Sequence, residues 1–167
     1  RGDHVAGHAG ALEGDQIALG TKRTESFWNR KIILGSTPTI DGVSRIQKSW
    51  DESDQRRYFV ACPHCQHRQT LKWANLRWDR DDAGSHLPET AYFRCEGHGC
   101  RIEEHDKPAM IDGGEWVAGK TSNGHAGFHI WAAYSLFPNA AWRHLAAEWL
   151  RVYQDPAQKM TFVNLVL

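Results

Sequence analysis

Apolar and polar positions change period twice along the chain. Residues 1 to 20 show no sustained pattern and read as loop with at most a short helix. Ile32 to Leu34 form a short apolar run closed by Gly35, Ser36, Thr37 and Pro38, the pattern of a fully buried strand followed by a turn. A buried strand of that kind belongs to a parallel sheet whose crossover helices these residues scarcely supply, so the sheet is expected to be incomplete here. "DGVSRIQKSWDESD" then predicts a short helix with Ser44 as N-cap and Ile46 and Trp50 four apart on one face.

From Arg57 to Trp116 the period falls towards two. "RYFVA", "QTLKWANLRW", "TAYFR" and "GEWVA" read as short strands separated by Gly, Pro, Asp and His clusters, as in a small antiparallel module. After the joint "SNGHAG", "GFHIWAAYS" is one more strand candidate. Trp142, Leu145, Ala146, Trp149, Leu150 and Tyr153 then recur at three-and-four spacing and predict an amphipathic helix over 140–153. Asn139 is its expected N-cap, and Asp155-Pro156 is expected to end it and start the next helix.

Composition narrows the class. With 167 residues, 41% hydrophobic and eight of them tryptophan, the chain has the material for a folded core. Twenty basic residues balance twenty acidic ones, which excludes a general electrostatic attraction to nucleic acid or to anionic membranes. No run of about eighteen apolar residues and no signal-peptide pattern are present, which points to a soluble intracellular protein, and the missing initiator methionine to a piece of a longer one.

The four cysteines carry the strongest chemical signal. Cys62 and Cys65 form C-x2-C, Cys95 and Cys100 form C-x4-C, and strand residues flank both turns. Two such turns can complete a closed tetrahedral shell of thiolates, so the spacing predicts a structural zinc ribbon with no open coordination position for water or substrate. A pair of disulfides is the competing reading in an oxidising compartment, and a redox pair lacks its βαβ setting. His98 lies inside the second turn and is an alternative ligand, whereas His64 and His67 read as solvated loop residues. Arg56, Arg57, Arg68, Lys72 and Arg77, interleaved with Trp73 and Trp78, would suit a nucleic-acid face. Asp51, Glu52, Asp54, Asp79, Asp81 and Asp82 surround the same strands and oppose that reading.

The order of these features is more specific than any one of them. "RTESFWNRKIILGSTPT", "SDQRRYFVACPHCQHRQTLKW", "YFRCEGHGCRIEE", "GFHIWAAYSLF" and "FVN" together resemble the large terminase subunit of tailed phages, the GpA family, over about the whole chain. The resemblance implies an α/β fold in three parts: the edge of a P-loop, RecA-like ATPase over 1–50, an inserted β-rich zinc ribbon over 51–120, and a lid or linker with a C-terminal helix over 121–167. It implies a motor that uses ATP and Mg to drive viral double-stranded DNA, joined to an endonuclease. The small terminase subunit and a portal are then expected partners, with a possible homo-oligomer, no membrane, and the host cytoplasm as location. Its Walker loops would precede Arg1 and its nuclease carboxylates would follow Leu167. Ser36 and Thr37 match the family's coupling motif, where a hydroxyl pair at the end of a buried strand could sense the γ-phosphate; Arg45 is a further candidate for phosphate charge. A plain turn fixed by Pro38 is the other reading of that motif. For the chain as a whole, the alternatives are a stand-alone zinc-ribbon module that binds nucleic acid or protein, and an assembly role.

Overall fold

The computed structural model describes residues 16–37, 44–122 and 124–166, and the chain divides into two compact units, Arg1–Gly35 and Ser36–Leu167. In the first, helix α1 spans Gln16–Arg23; most of the loop expected over residues 1 to 20 lies outside the described residues. α1 ends in basic residues that suit the negative end of the helix dipole, and Lys22 pairs with Glu25 at 2.9 Å. The expected strand at Ile32–Leu34 does not form: these residues have no regular structure, and Ile33 is 89% exposed. A central strand owes its stability to ladder partners on both edges, and the described residues supply none for this run.

The second unit begins with helix α2, Arg45–Glu52. Ser44 precedes it as expected, but its hydroxyl makes no capping bond. Among the described residues seven short strands follow: β1 Arg56–Ala61, β2 Arg68–Gln69, β3 Leu76–Arg80, β4 His86–Arg94, β5 Arg101–Ile102, β6 Glu115–Val117 and β7 Phe128–His129. They form two sheets. In one, β1 is central, with β2 and β6 antiparallel on opposite edges and β7 parallel to its first residues. In the other, β3, β4 and β5 run antiparallel in that order.

Helices α3 (Lys107–Asp112), α4 (Trp142–Val152) and α5 (Pro156–Val166) complete the unit. α4 lies on β3 and β4 and buries Trp142, Leu145 and Ala146 of the predicted stripe, with Trp149 and Leu150 half-buried; Tyr153 is exposed and Val152 is buried in its place. The rings of Trp142 and Phe93 meet edge to face, 4.7 Å between centroids. Trp73 stands at the centre of a second aromatic group, 5.2 Å from both Trp149 and Phe162.

Two strand expectations are shortened for a common reason. "QTLKWANLRW" is interrupted by a 3-10 turn at Trp73–Asn75, and "GFHIWAAYS" gives two strand residues before a 3-10 turn at Ala132–Tyr134. Side chains replace the missing ladder: the Tyr134 hydroxyl accepts from Leu71 N at 2.7 Å and donates to Tyr58 O at 2.8 Å, while the Trp131 indole donates to Leu71 O at 2.7 Å. Asn139 is not the cap of α4 but sits in a 3-10 turn, Pro138–Ala140. Capping comes from a distant residue, since Glu104 Oε2 accepts from Trp142 N at 2.6 Å. Asp155 does start α5, accepting from Ala157 N and Gln158 N. No described helix is long and apolar enough to cross a membrane.

Candidate metal centre

The pleat of the strands delivers the cysteines. Along β1, Tyr58 and Val60 face inwards, and two residues later Cys62 is fully buried; along β4, Ala91 and Phe93 do the same for Cys95. Cys100 precedes the buried Ile102 of β5 by the same two residues. Alternation therefore brings three of the four sulfurs to one place from two different sheets.

The two cysteine turns share one backbone frame. Cys62 N donates to His67 O at 2.9 Å and Gln66 N to Cys62 O at 2.9 Å; Cys95 N donates to Cys100 O at 2.9 Å and Gly99 N to Cys95 O at 3.0 Å. The residue four after the first cysteine is left-handed in both, φ 61° at Gln66 and φ 69° at Gly99. Only the second sulfur differs in register, coming three residues on in the first turn and five on in the second. His98 holds the position in the second turn that Cys65 holds in the first.

All four sulfurs lie within 4.8 Å of one another, and Cys65 Sγ and Cys95 Sγ are 3.6 Å apart. A disulfide needs about 2.05 Å, so none of these cysteines is oxidised to its neighbour. The edge of a tetrahedron with Zn–S bonds of about 2.3 Å is roughly 3.8 Å. The sulfur set is thus compatible with a single tetrahedral ion, and among the described residues the group contains the four cysteines without His98. Burial pushes the Cys62 thiol up to about 12 and raises Cys100, whereas the His67 backbone N–H leads a set of hydrogen bonds that bring Cys65 down to about 6.

The flanking histidines do more than meet solvent. His64 Nε2 donates to Arg101 O at 2.9 Å, tying the first turn to β5. The His67 ring lies against Gly97, where a Cβ would come within 2.5 Å of it, so the turns touch through a glycine.

Of the five cations that would suit a nucleic-acid face, three are taken up by carboxylates. Arg56 pairs with Asp54 at 2.8 Å, Arg68 with Glu115, and Lys72 with Glu96 at 2.9 Å. Trp73 and Trp78 are half-buried against the core. Asp54 is a structural hub: its carbonyl accepts from Gly119 N and Lys120 N, and its carboxylate from Gly127 N and Arg56. Although burial opposes it, the Arg56 and Gly127 hydrogen bonds hold that carboxyl below the usual range.

The Ser36 and Thr37 side chains are exposed, and Ser36 Oγ donates to Thr37 O at 3.0 Å. Pro38, the expected fixed point of the turn, and the residues from there to Val43 lie outside the described residues. Arg45 is exposed at the start of α2. One spelling escapes the sequence reading: Gly114 to Thr121 reads G-x4-G-K-T, the letters of a phosphate-binding loop. Its middle is strand β6, the N–H groups of Gly119 and Lys120 are already used by Asp54, the Lys120 ammonium donates to Asp51 O, and the next α-helix starts at Trp142. A phosphate loop needs free N–H groups at the head of a helix, so the match is one of letters alone.

Two hairpin tips closing on four cysteine sulfurs, with helices packed across one sheet, define a four-cysteine module. The family model for the phage terminase large subunit gpA, ATPase domain, matches residues 3–116, and the chain belongs to that family. It is 33% identical to the terminase large subunit of Enterobacteria phage P21 and 31% identical to that of Escherichia phage lambda, in each case over 93% of this chain. The chain spans 27% of the length of each of these relatives. No solved structure matches it.

Proposed function

We propose that the chain is a central piece of a DNA-packaging motor, the large terminase subunit, that uses ATP and Mg to move viral double-stranded DNA and cuts it with a nuclease carried elsewhere in the protein. The family match over residues 3–116 carries this reading. In it, residues 1–50 are the edge of the P-loop ATPase, 51–120 a zinc ribbon, and 121–167 a lid or linker. The small subunit and portal are its partners in the host cytoplasm. Cys62, Cys65, Cys95 and Cys100 hold one structural zinc ion. The ion supplies cross-linking and no reaction chemistry, because four thiolates fill its shell.

Ser36 and Thr37 couple nucleotide hydrolysis to the chain that follows them. Their hydroxyls suit hydrogen bonding to a γ-phosphate or its attacking water. In the full-length protein Thr37→Ala is expected to lower the length of DNA packaged per ATP hydrolysed, with zinc content unchanged. Packaging and ATP turnover both at wild-type levels would reduce these residues to a turn. Metal analysis of the purified protein is expected to give one zinc per chain, and its absence from unchelated protein would remove the ribbon reading.

A further inference from the structure

The second cysteine turn opens onto a notch of about 720 Å³ edged by Lys72, Asn75, Arg77, Arg94, Glu96 and His98. Register places its arginines. Leu76 and Phe93 pair across β3 and β4 and are buried, so the alternate positions Arg77 and Arg94 share the outer face as diagonal neighbours. Arg94 also stands directly opposite Arg101 of β5. Like charges so placed repel, and the fold relieves only part of this. Arg101 is held by Asp79 at 3.0 Å and Glu103 at 2.6 Å. Glu96, the one carboxylate edging the notch, is occupied by Lys72 and by Asn75 at 2.8 Å. Among the described residues neither Arg77 nor Arg94 has a carboxylate partner, unlike Arg101 beside them; Arg77 donates only to the neighbouring Leu76 O, at 2.9 Å. The Arg94 guanidinium lies over the turn itself, its Nε 3.5 Å from where a Gly99 Cβ would stand.

We propose that Arg77 and Arg94, at the mouth of the second cysteine turn, contact backbone phosphates of double-stranded DNA. The choice of DNA as the polyanion rests on the packaging reading; the unmatched positive charge does not. Guanidinium groups suit phosphate oxygens through paired hydrogen bonds. The backbone is read without base specificity, as a motor that passes any sequence requires. The chain as a whole carries no net charge, so the contact is local.

The test uses the full-length protein and a duplex of arbitrary sequence, with affinity measured against salt concentration. Arg77→Gln and Arg94→Gln are each expected to make the slope of log affinity against log salt shallower by about 1, and the double variant by about 2. Arg80→Gln, an exposed arginine outside the notch, serves as the control and is expected to leave it unchanged. Zinc content and melting temperature are read on every variant. If the wild type binds and the double variant keeps its slope, the notch is refuted and the packaging reading stands. If glutamine at these positions releases zinc while the slope persists, the arginines offset thiolate charge and the proposal is overturned. If the wild type shows no salt-dependent binding to duplex DNA, the packaging reading falls and the notch falls with it.

Discussion

Gly97 is where one missing methyl decides a contact between two sheets. The His67 ring fills the space a side chain would need, and because its Cβ and Cγ as well as Nδ1 stand close, rotation of the ring gives no relief. Gly97→Ala is expected to push the two cysteine turns apart, lowering stability by about 1–3 kcal/mol and weakening zinc retention in a competition titration with a chelator. Unchanged zinc affinity would show that the turns adjust independently. Glu104 and Lys107 form the other decisive pair. Lys107 is 3% exposed and donates to Glu104 Oε1 at 3.2 Å and Ala140 O at 3.3 Å, while the second oxygen of Glu104 caps Trp142 N. Glu104→Ala removes a cap and leaves a buried ammonium without its anion, a loss of roughly 1–3 kcal/mol by urea denaturation. Burial holds the Lys107 amine below its usual value despite Glu104, so its charged form is disfavoured in the fold. Lys107→Met leaves Ala140 O without its donor and is expected to lower stability, by less than Glu104→Ala because the partly exposed Glu104 keeps water and its bond to Trp142 N.

At the scale of elements, α4 was legible because its apolar stripe is local: Trp142, Leu145, Ala146 and Trp149 mark a face whatever lies against it. The cysteine strands were legible for the same reason, with period two leading into each turn. What the pattern did not announce depends on distant partners. The side-chain bonds that Leu71 makes to Trp131 and Tyr134 span some sixty residues and leave no local trace, so two strands were expected to be longer than they are. Ion pairing depends on partners that the apolar pattern does not mark, which is why Arg56, Arg68 and Lys72 of the basic stripe are paired while Arg57 and Arg77 have no carboxylate partner among the described residues. Helix α5 offers a test of a local rule. Hydrogen bonds from Gln158, backbone first, and from Ala157 N hold the Asp155 carboxyl below its ordinary 3.8. Since the folded value is the depressed one, the cap's contribution is present above about pH 4 and is lost as pH falls through the folded value. The first α5 amides are expected to lose hydrogen-exchange protection, measured relative to their intrinsic rates, over that window. Asp155→Asn, which still offers an accepting oxygen, is expected to remove the pH dependence while keeping most of the helix.

For the molecule as a whole, the question is whether the apolar core or the proposed metal holds the second unit together. Trp142, Phe93, Leu145 and the Trp73 group pack without any help from an ion. Between the two sheets, however, the tie at the cysteine end depends on the thiol cluster, the His64 bond to Arg101, the Gly97 contact and a few polar links such as Glu96 N to Gln69 Oε1 at 2.7 Å. A four-thiolate zinc site contributes on the order of 10–16 kcal/mol, as large as the entire net stability of an ordinary domain, about 5–15 kcal/mol. Chelation at neutral pH is therefore expected to abolish amide protection in residues 61–69 and 94–102 first and then to lower the melting temperature of the unit by tens of degrees. α4 is expected to keep residual helicity through its contacts with β3 and β4. Low pH should mimic the chelator, since protons compete with the metal for the sulfurs, and zinc added back at neutral pH should restore protection. A unit that melts identically with and without bound zinc, metal content having been measured in both samples, would place its stability in the aromatic core alone and leave the four cysteines without the structural role proposed for them.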